Sequence, residues 1–194
     1  FCTYPYVTSS ETSVGGACTG TGLPPQCIDA VWGVVKAYTT RVGEGPFPCE
    51  LQDEQGEQLR RAGNEFGATT GRPRRCGWLD AVATRYAVRL NGVTDVALTK
   101  MDVLDDCAEI KICTGYRLDG EQIDAPPTTI AELARVEPVY EVLPGWQADT
   151  SGCSSVDELP AAARAYVARL GELLQTRISM ISVGPKRAQT FLLT

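Results

Sequence analysis

The sequence predicts a mixed α/β fold, because segments with helical spacing of apolar residues alternate with short apolar runs typical of buried strands. Two of these runs stop abruptly at polar or glycine residues, as strands do at the ligand-binding edge of an open α/β sheet. With 194 residues and a hydrophobic fraction of 43%, the chain is long and apolar enough to bury its own core.

The N-terminal part is expected to hold a strand, a helix and a loop. Aromatic and β-branched residues over positions 1–10 are typical of a strand. Residues 26–41 have helical periodicity and are followed by Gly43, which indicates a helix. The apolar positions of that period are Ile28, Val31, Trp32, Val35 and Tyr38. Glycine and proline over residues 43–50 predict a turn-rich loop.

The middle of the chain predicts two amphipathic helices and a buried strand. The helices cover residues 51–61, stopped by Gly63, and 79–90, ended by Asn91-Gly92. The strand is the apolar run 96–99, which gives way to Lys100-Met101-Asp102.

The C-terminal part predicts a hairpin, a long helix and a second buried strand. Residues 109–116 and those after Asp119-Gly120 form the expected hairpin, because Asp-Gly suits a tight turn. Residues 157–175 form the clearest helix, with Pro160 near its first turn. The strand at 178–183 ends before Gly184-Pro185.

Composition excludes several functional classes. The sequence has no run near the roughly 18 apolar residues of a membrane-spanning helix, so no membrane role is expected. A net charge of −6 opposes non-specific nucleic-acid binding, so any anion site must be local. A strand-like segment beginning at Phe1 suggests that the chain was cut from something longer.

Eight cysteines and no histidine leave two interpretations of the thiols. Their scattered spacing, with no Cys-x-x-Cys pair, favours reduced structural thiols of a cytosolic protein over the disulfide framework of a secreted binding protein. A zinc site would need well-separated thiolates or carboxylates.

The segment 68–75 concentrates three arginines and two threonine hydroxyls next to flexible glycines. Guanidinium groups bind carboxylate or phosphate through paired hydrogen bonds, and hydroxyls add donors around the same anion. Composition alone supports a carboxylate-binding loop and a solvated basic loop equally.

The strand-end residues Lys100-Met101-Asp102 suit a guanine base. A carboxylate there can accept from the ring N–H and the exocyclic amine of guanine, while the lysine stem lies along the base. Taken alone, the tetrapeptide is more often a surface Lys/Asp pair, and Ser182-Val183-Gly184-Pro185 is more often only a turn.

Taken together and in order, six sequence blocks resemble the adenylosuccinate synthetase family. They are TYPYVTSS (3–10), KAYTTRVGEGPFP (36–48), NEFGATTGRPRRCGWLD (64–80), LTKMDVLD (98–105), EPVYEVLPGW (137–146) and SVGPKR (182–187). The resemblance implies the C-terminal α/β portion of that fold, a P-loop-NTPase-like central sheet without its N-terminal half. Residues 1–25 would then be a remnant of the central sheet on the IMP side, and 26–194 a C-terminal α/β domain.

The resemblance also implies a GTP-dependent ligase that joins IMP and L-aspartate into adenylosuccinate in AMP biosynthesis. Such an enzyme is a cytoplasmic homodimer that uses Mg²⁺, whose ligands are expected outside these 194 residues. By motif, Thr8 and Arg72 would bind IMP. The aspartate loop would comprise Ala68, Thr69, Thr70, Gly71, Arg72, Pro73 and Arg74. GTP would contact Arg74, Lys100, Met101, Asp102, Ser182, Val183 and Gly184.

The sequence departs from the family pattern in ways that bear on activity. The family's glycine-rich phosphate loop, catalytic aspartate and catalytic histidine have no counterpart here, so the 194 residues alone are expected to be inactive. Cys2, Glu11, Cys49 and Asp106 replace the usual residues, and Glu11 could weaken a phosphate site near Thr8. A non-catalytic guanine-nucleotide-binding module derived from the family is the alternative.

Overall fold

The computed structural model describes residues 3–193, and its alternation of helices with parallel and mixed sheets confirms the α/β class. The helices are α1 (Val14–Thr21), α2 (Glu54–Ala62), α3 (Ala81–Asn91), α4 (Ile130–Leu133) and α5 (Ala161–Leu174). The strands are β1 (Trp32–Lys36), β2 (Thr39–Arg41), β3 (Arg75–Gly77), β4 (Leu79–Asp80), β5 (Asp95–Thr99), β6 (Glu109–Leu118), β7 (Glu121–Ile123), β8 (Glu137–Pro144), β9 (Arg177–Ser182) and β10 (Thr190–Leu192).

Four strands form the first sheet, in the order β1-β5-β9-β10. Strands β1, β5 and β9 are parallel, and β10 returns antiparallel to β9. Four consecutive residues of β5, from Asp95 to Leu98, are buried, which explains why this strand appears as a continuous apolar run. The carboxyl ends of β5 and β9 therefore lie side by side at one edge of the sheet.

The remaining strands form a two-stranded sheet and a second four-stranded sheet. Strands β2 and β3 pair antiparallel, and β6 pairs with β4, β7 and β8. The hairpin between β6 and β7 turns at Asp119 and Gly120, whose φ angles of 51° and 92° are those expected of an Asp-Gly turn. The predicted hairpin is confirmed.

The three helices predicted in the middle and C-terminal parts are confirmed, with different boundaries. Asp80 caps α3 by accepting from Ala83 N at 3.0 Å, and Gly92 ends it with a φ of 57°. Helix α2 ends at Gly63, which has an ordinary φ of −78°. Helix α5 begins after Pro160, because a separate 3₁₀ turn takes up residues Val156–Glu158.

Two predicted elements are wrong. Residues 3–10 form turns and bends rather than a strand, and positions 1 and 2 of that prediction lie outside the described residues. The helix predicted over 26–41 is instead a 3₁₀ turn followed by strands β1 and β2. The apolar residues follow the helical period, but parallel pairing of β1 with β5 holds this segment in an extended conformation.

The main core lies between the first sheet and helices α2 and α5. Tyr166 of α5 donates its hydroxyl hydrogen to Ala37 O at 2.6 Å and packs against Trp146, with ring centroids 5.9 Å apart. The core also contains Tyr38, Leu59, Trp78, Leu98, Met101, Leu104, Leu170 and Ile181. No helix in the described residues combines the length and apolarity needed to cross a membrane.

Candidate functional site

The carboxyl ends of β5 and β9 bring two of the predicted motifs together. Lys100 follows β5 with a φ of 62°, so the chain leaves the sheet and starts a 3₁₀ turn over Met101–Leu104. Ser182 ends β9 and donates its hydroxyl hydrogen to Gly184 O at 2.9 Å. Parallel pairing of Leu98 with Ile181 places these two segments at one edge of the sheet.

Asp102 presents an acceptor that lacks a partner. Its Oδ1 is buried and is the one buried side-chain polar atom in the described residues without a hydrogen bond. Burial raises the pKa of Asp102, and the nearby Asp105 carboxylate adds to that rise. Buried polar atoms are paired in the great majority of cases, so an orphan at a strand end indicates a site for a donor-bearing ligand.

The neighbouring aspartate is fully occupied by protein groups. Asp105 accepts from Trp146 Nε1 at 2.6 Å and from Thr150 N at 2.8 Å. These bonds hold the segment 146–150 beside Asp102, where a pocket of about 360 Å³ opens. Its lining residues are Asp102, Asp105, Asp106, Gln147, Ala148, Asp149 and Ser151.

The other guanine-motif residues play different structural parts. The Met101 side chain is fully buried in the main core. Lys100 Nζ donates to Gly63 O at 2.5 Å. Val183 is also buried, and its N–H donates to Gln189 O at 2.9 Å. A Cβ on Gly184 would lie 2.4 Å from the Gln189 side chain, so this position tolerates only glycine without a local shift.

The loop predicted to bind aspartate protrudes from the surface as a closed turn. Residues 68–73 are exposed. Gly67 and Arg72 are joined by a backbone hydrogen bond of 2.8 Å, and Gly71 has a φ of 63°. At the base of the loop, Arg74 N donates to Glu65 O at 2.9 Å. The loop is therefore anchored at its ends and open at its tip.

The three arginines of this segment have different environments. Arg74 Nη1 donates to Glu65 Oε2 at 2.7 Å. Arg75 binds Glu50 through two hydrogen bonds of 2.7 and 2.5 Å. The exposed Arg72 guanidinium makes no hydrogen bond or ion pair with a described residue. Arg72 is thus the arginine available to an anion from solution, whereas Arg75 forms a structural ion pair with Glu50.

Thr8 lies in a separate groove of about 590 Å³. The groove is lined by Tyr6, Val7, Thr8, Thr40, Arg41, Val42, Gly43 and Glu44. Thr8 itself is exposed and accepts from Ser10 N at 3.2 Å. Arg41, which no pattern in the sequence singled out, brings a guanidinium group to this groove, where its Nε donates to Glu44 O at 3.0 Å.

Glu65 is the second residue that the sequence analysis missed. It is fully buried and accepts hydrogen bonds from Lys36, Tyr38 and Arg74. Burial acts to raise the pKa of Glu65, but the hydrogen bonds from those three residues outweigh it and lower the pKa to about 2. Glu65 is therefore an ionised carboxylate between the loop and the sheet edge.

One group of described residues has the spacing of metal ligands. The ligand atoms of Cys49, Asp80 and Cys113 all lie within 4.8 Å of one another, and all three residues are buried. Asp80 already accepts from Ala83 N at 3.0 Å and Tyr116 Oη at 2.5 Å. Magnesium prefers oxygen ligands and water, so this thiol-rich cluster does not fit it.

Seven cysteines fall within the described residues, all of them free. Four are buried, namely Cys49, Cys76, Cys107 and Cys113. Burial raises the pKa of Cys107 to about 11, which disfavours its reactive thiolate at neutral pH.

Comparisons with known proteins give a consistent result. The sequence model of the adenylosuccinate synthetase family matches residues 1–191. An adenylosuccinate synthetase of Thermomicrobium roseum is 59% identical over 187 residues, covering 96% of this chain and 43% of that protein. One from Syntrophomonas wolfei is 61% identical over 188 residues, covering 97% and 44%.

Solved structures agree with the sequence comparison. The fully ligated adenylosuccinate synthetase from Plasmodium falciparum superposes with a TM-score of 0.95 and 42% identity, covering 98% of this chain and 46% of that one. A cyanophage S-2L succinoaminodeoxyadenylate synthetase, at a TM-score of 0.53 and 17% identity, is similar in fold alone. The chain spans less than half the length of each of these relatives.

Proposed function

Because the chain belongs to the adenylosuccinate synthetase family, we propose that it is the substrate-recognition part of a ligase that joins IMP and L-aspartate using GTP. The whole enzyme transfers the γ-phosphoryl group of GTP to O6 of IMP, giving GDP and 6-phosphoryl-IMP. The amino group of aspartate then attacks C6, and inorganic phosphate leaves with the oxygen. This enzyme is a cytoplasmic homodimer.

The observation that supports GTP most directly is the orphaned Oδ1 of Asp102. An ionised carboxylate accepts two hydrogen bonds side by side, and the guanine edge offers a ring N–H and an amine at that spacing. Ser182 at the end of β9, with Val183 and Gly184 just beyond it, would complete the guanine site with Lys100 and the backbone of the buried Met101. Guanine binding would supply the partner that Asp102 lacks.

The basic loop supports aspartate as the second substrate. Arg72 is exposed and pairs with no described carboxylate, so its planar fork is available to the aspartate carboxylates and to IMP. Ala68–Gly71 and Pro73 give the loop its backbone donors and its shape. Arg74, fixed at the base, lies between the aspartate and GTP sides, and Thr8 with Arg41 contributes the IMP side.

Magnesium supplies charge neutralisation for phosphoryl transfer when it is bound. The one group of described residues that has the spacing of metal ligands contains two thiols, which magnesium does not prefer. Its ligands belong to parts of the enzyme beyond these residues. This chain's own contribution is to bind and orient the base, the loop and the amino acid.

A second candidate is a guanine-nucleotide-binding module without catalysis. The Asp102 pocket would serve this module equally well.

The experiment uses the 194-residue chain and a full-length protein that contains it. Each is incubated with IMP, aspartate, Mg²⁺ and either GTP or ATP, and adenylosuccinate is separated chromatographically. We expect product only from the full-length protein with GTP. A full-length protein that binds GTP but forms no product would support the module, and product from the 194 residues alone would overturn the division of roles.

A further inference from the structure

Glu65 joins three cations that come from three separate elements. Its Oε1 lies 2.8 Å from Lys36 Nζ and 3.2 Å from Lys100 Nζ, and its Oε2 lies 2.7 Å from Arg74 Nη1. The Tyr38 hydroxyl donates a hydrogen bond of 2.5 Å to Oε1, in addition to those from Lys36 and Arg74. Every oxygen of this fully buried carboxylate is therefore engaged.

The backbone of Glu65 is fixed as firmly as its side chain. Glu65 lies just beyond the end of α2, and its N–H donates to Arg60 O of that helix at 2.8 Å. Its carbonyl accepts from Arg74 N at 2.9 Å, which closes the base of the loop. Glu65 cannot move without displacing either the helix end or the loop.

Each of the three cations belongs to a different part of the proposed site. Lys100 directly precedes Met101-Asp102 at the guanine pocket, and Arg74 ends the aspartate loop. Lys36 Nζ also donates to Thr40 Oγ1 at 2.9 Å, and Thr40 lines the groove that contains Thr8. One carboxylate is thus in contact with residues of the IMP, aspartate and GTP sides.

Electrostatics make the carboxylate necessary to this arrangement. Three cations within 3.2 Å of one carboxylate would repel one another if its charge were removed. A neutral amide at the same position would turn donor hydrogens toward Arg74 or the lysines. The cations would then separate, and the loop base would lose its position relative to β5.

We propose that Glu65 is a positioning residue that couples the aspartate loop to the guanine pocket by holding Arg74 and Lys100 on one carboxylate. The coupling between the aspartate loop and the guanine pocket rests on the proposed function. The attachment of the loop to the end of β5 through Glu65 does not. GTP bound at Asp102 holds the neighbouring Lys100 in place. Because Glu65 pairs with both Lys100 and Arg74, the base of the loop is then held in place as well.

The test compares Glu65→Gln with Glu141→Gln in a full-length protein containing this chain. Glu141 of β8 also binds an arginine through both oxygens, Arg169 of α5, and has no hydrogen bond or ion pair with the loop or with Lys100. Initial rates are measured over a grid of GTP and aspartate concentrations. We expect Glu65→Gln to raise KM for both substrates by about tenfold or more and to abolish the dependence of one KM on the other. Glu141→Gln should leave both KM values unchanged.

A substrate-free measurement separates this proposal from the proposed function. Hydrogen exchange of the peptide covering residues 67–73 should accelerate in Glu65→Gln but not in Glu141→Gln, with melting temperatures recorded to exclude global unfolding. Faster exchange in a protein that uses neither GTP nor aspartate would refute the proposed function while supporting the attachment of the loop to β5 through Glu65. Unchanged exchange, or unchanged KM values in an active protein, would overturn the role of Glu65.

Discussion

Arg72, Arg74 and Arg75 are close in sequence, yet each guanidinium meets a different environment. Glu65 and Glu50 neutralise Arg74 and Arg75, while Arg72 remains exposed. A charge already paired inside the protein contributes little to an incoming anion. Of the three, Arg72 is therefore the residue on which aspartate binding should depend most.

Replacing Arg72 by alanine in a full-length protein should weaken aspartate use more than GTP use. A carboxylate that loses a bidentate partner as the loop closes forfeits about 2–5 kcal/mol. We expect a steep rise in KM for aspartate, measured at saturating GTP. Arg61→Ala, which removes a side chain that is 76% exposed on α2, is the control and should change neither constant. An unchanged KM for aspartate in Arg72→Ala would make 68–75 a solvated basic loop.

Sequence could predict Asp102 but not Glu65, for a physical reason. A buried strand followed by a charged residue is a local pattern, and Asp102 follows such a strand. The partners of Glu65 come from Lys36, Arg74 and Lys100, which only the folded chain brings together. For the same reason, nothing in the sequence showed that Asp105 is already bound by Trp146 and Thr150.

At the scale of elements, the end of α2 determines how close the loop comes to the sheet. Gly63 has no need of glycine for its backbone angles, since its φ is −78°. A Cβ there would lie 2.1 Å from Tyr38 Oη and 2.9 Å from Leu59 O. The glycine is required by close approach, and the group it admits is the hydroxyl that donates to Glu65.

Gly63→Ala should therefore destabilise the chain by about 1–3 kcal/mol, because the methyl group displaces Tyr38 from Glu65. Urea unfolding of the 194-residue chain measures the loss. Gly152→Ala serves as the control, since its Cβ would meet nothing within 4 Å, and should stay within about 0.5 kcal/mol of the original. Equal stability of Gly63→Ala and the parent chain would show that the helix end moves freely.

Elements with local end signals were predictable, and those decided by distant pairing were not. Gly92 and the Asp119-Gly120 turn marked the ends of α3 and β6 because positive φ angles favour those residues. Strand β1 was predicted as a helix, because its apolar residues also fit the helical period. Its parallel pairing with β5, more than 60 residues away, is invisible in a local window.

At the scale of the whole molecule, the first sheet, β1-β5-β9-β10, has one apolar edge without a strand partner among the described residues. Strand β1 lies at that edge, with Trp32 45% and Val34 75% exposed. Unprotected edge strands with apolar side chains pair with other chains.

Val34→Lys should reduce self-association of the 194-residue chain, because a charge on an edge strand opposes pairing. Sedimentation velocity at increasing concentration measures the effect. Val42→Lys is the matched control, since Val42 is 77% exposed but lies outside β1. If both variants reduce self-association equally, the effect is due to net charge. If the parent chain stays monomeric, the β1 edge does not pair with other chains.

Selection of guanine by the pocket at Asp102 is tested most directly by changing Asp102 to asparagine in a full-length protein. Asparagine offers one donor and one acceptor, which match xanthine, whose carbonyl replaces the guanine amine. The measurement is kcat/KM for GTP and for xanthosine triphosphate, with Asp106→Asn in the same pocket as control. We predict that Asp102→Asn shifts the ratio toward xanthosine triphosphate by about a hundredfold or more, while Asp106→Asn leaves it unchanged. A ratio that does not move in Asp102→Asn would contradict the guanine assignment.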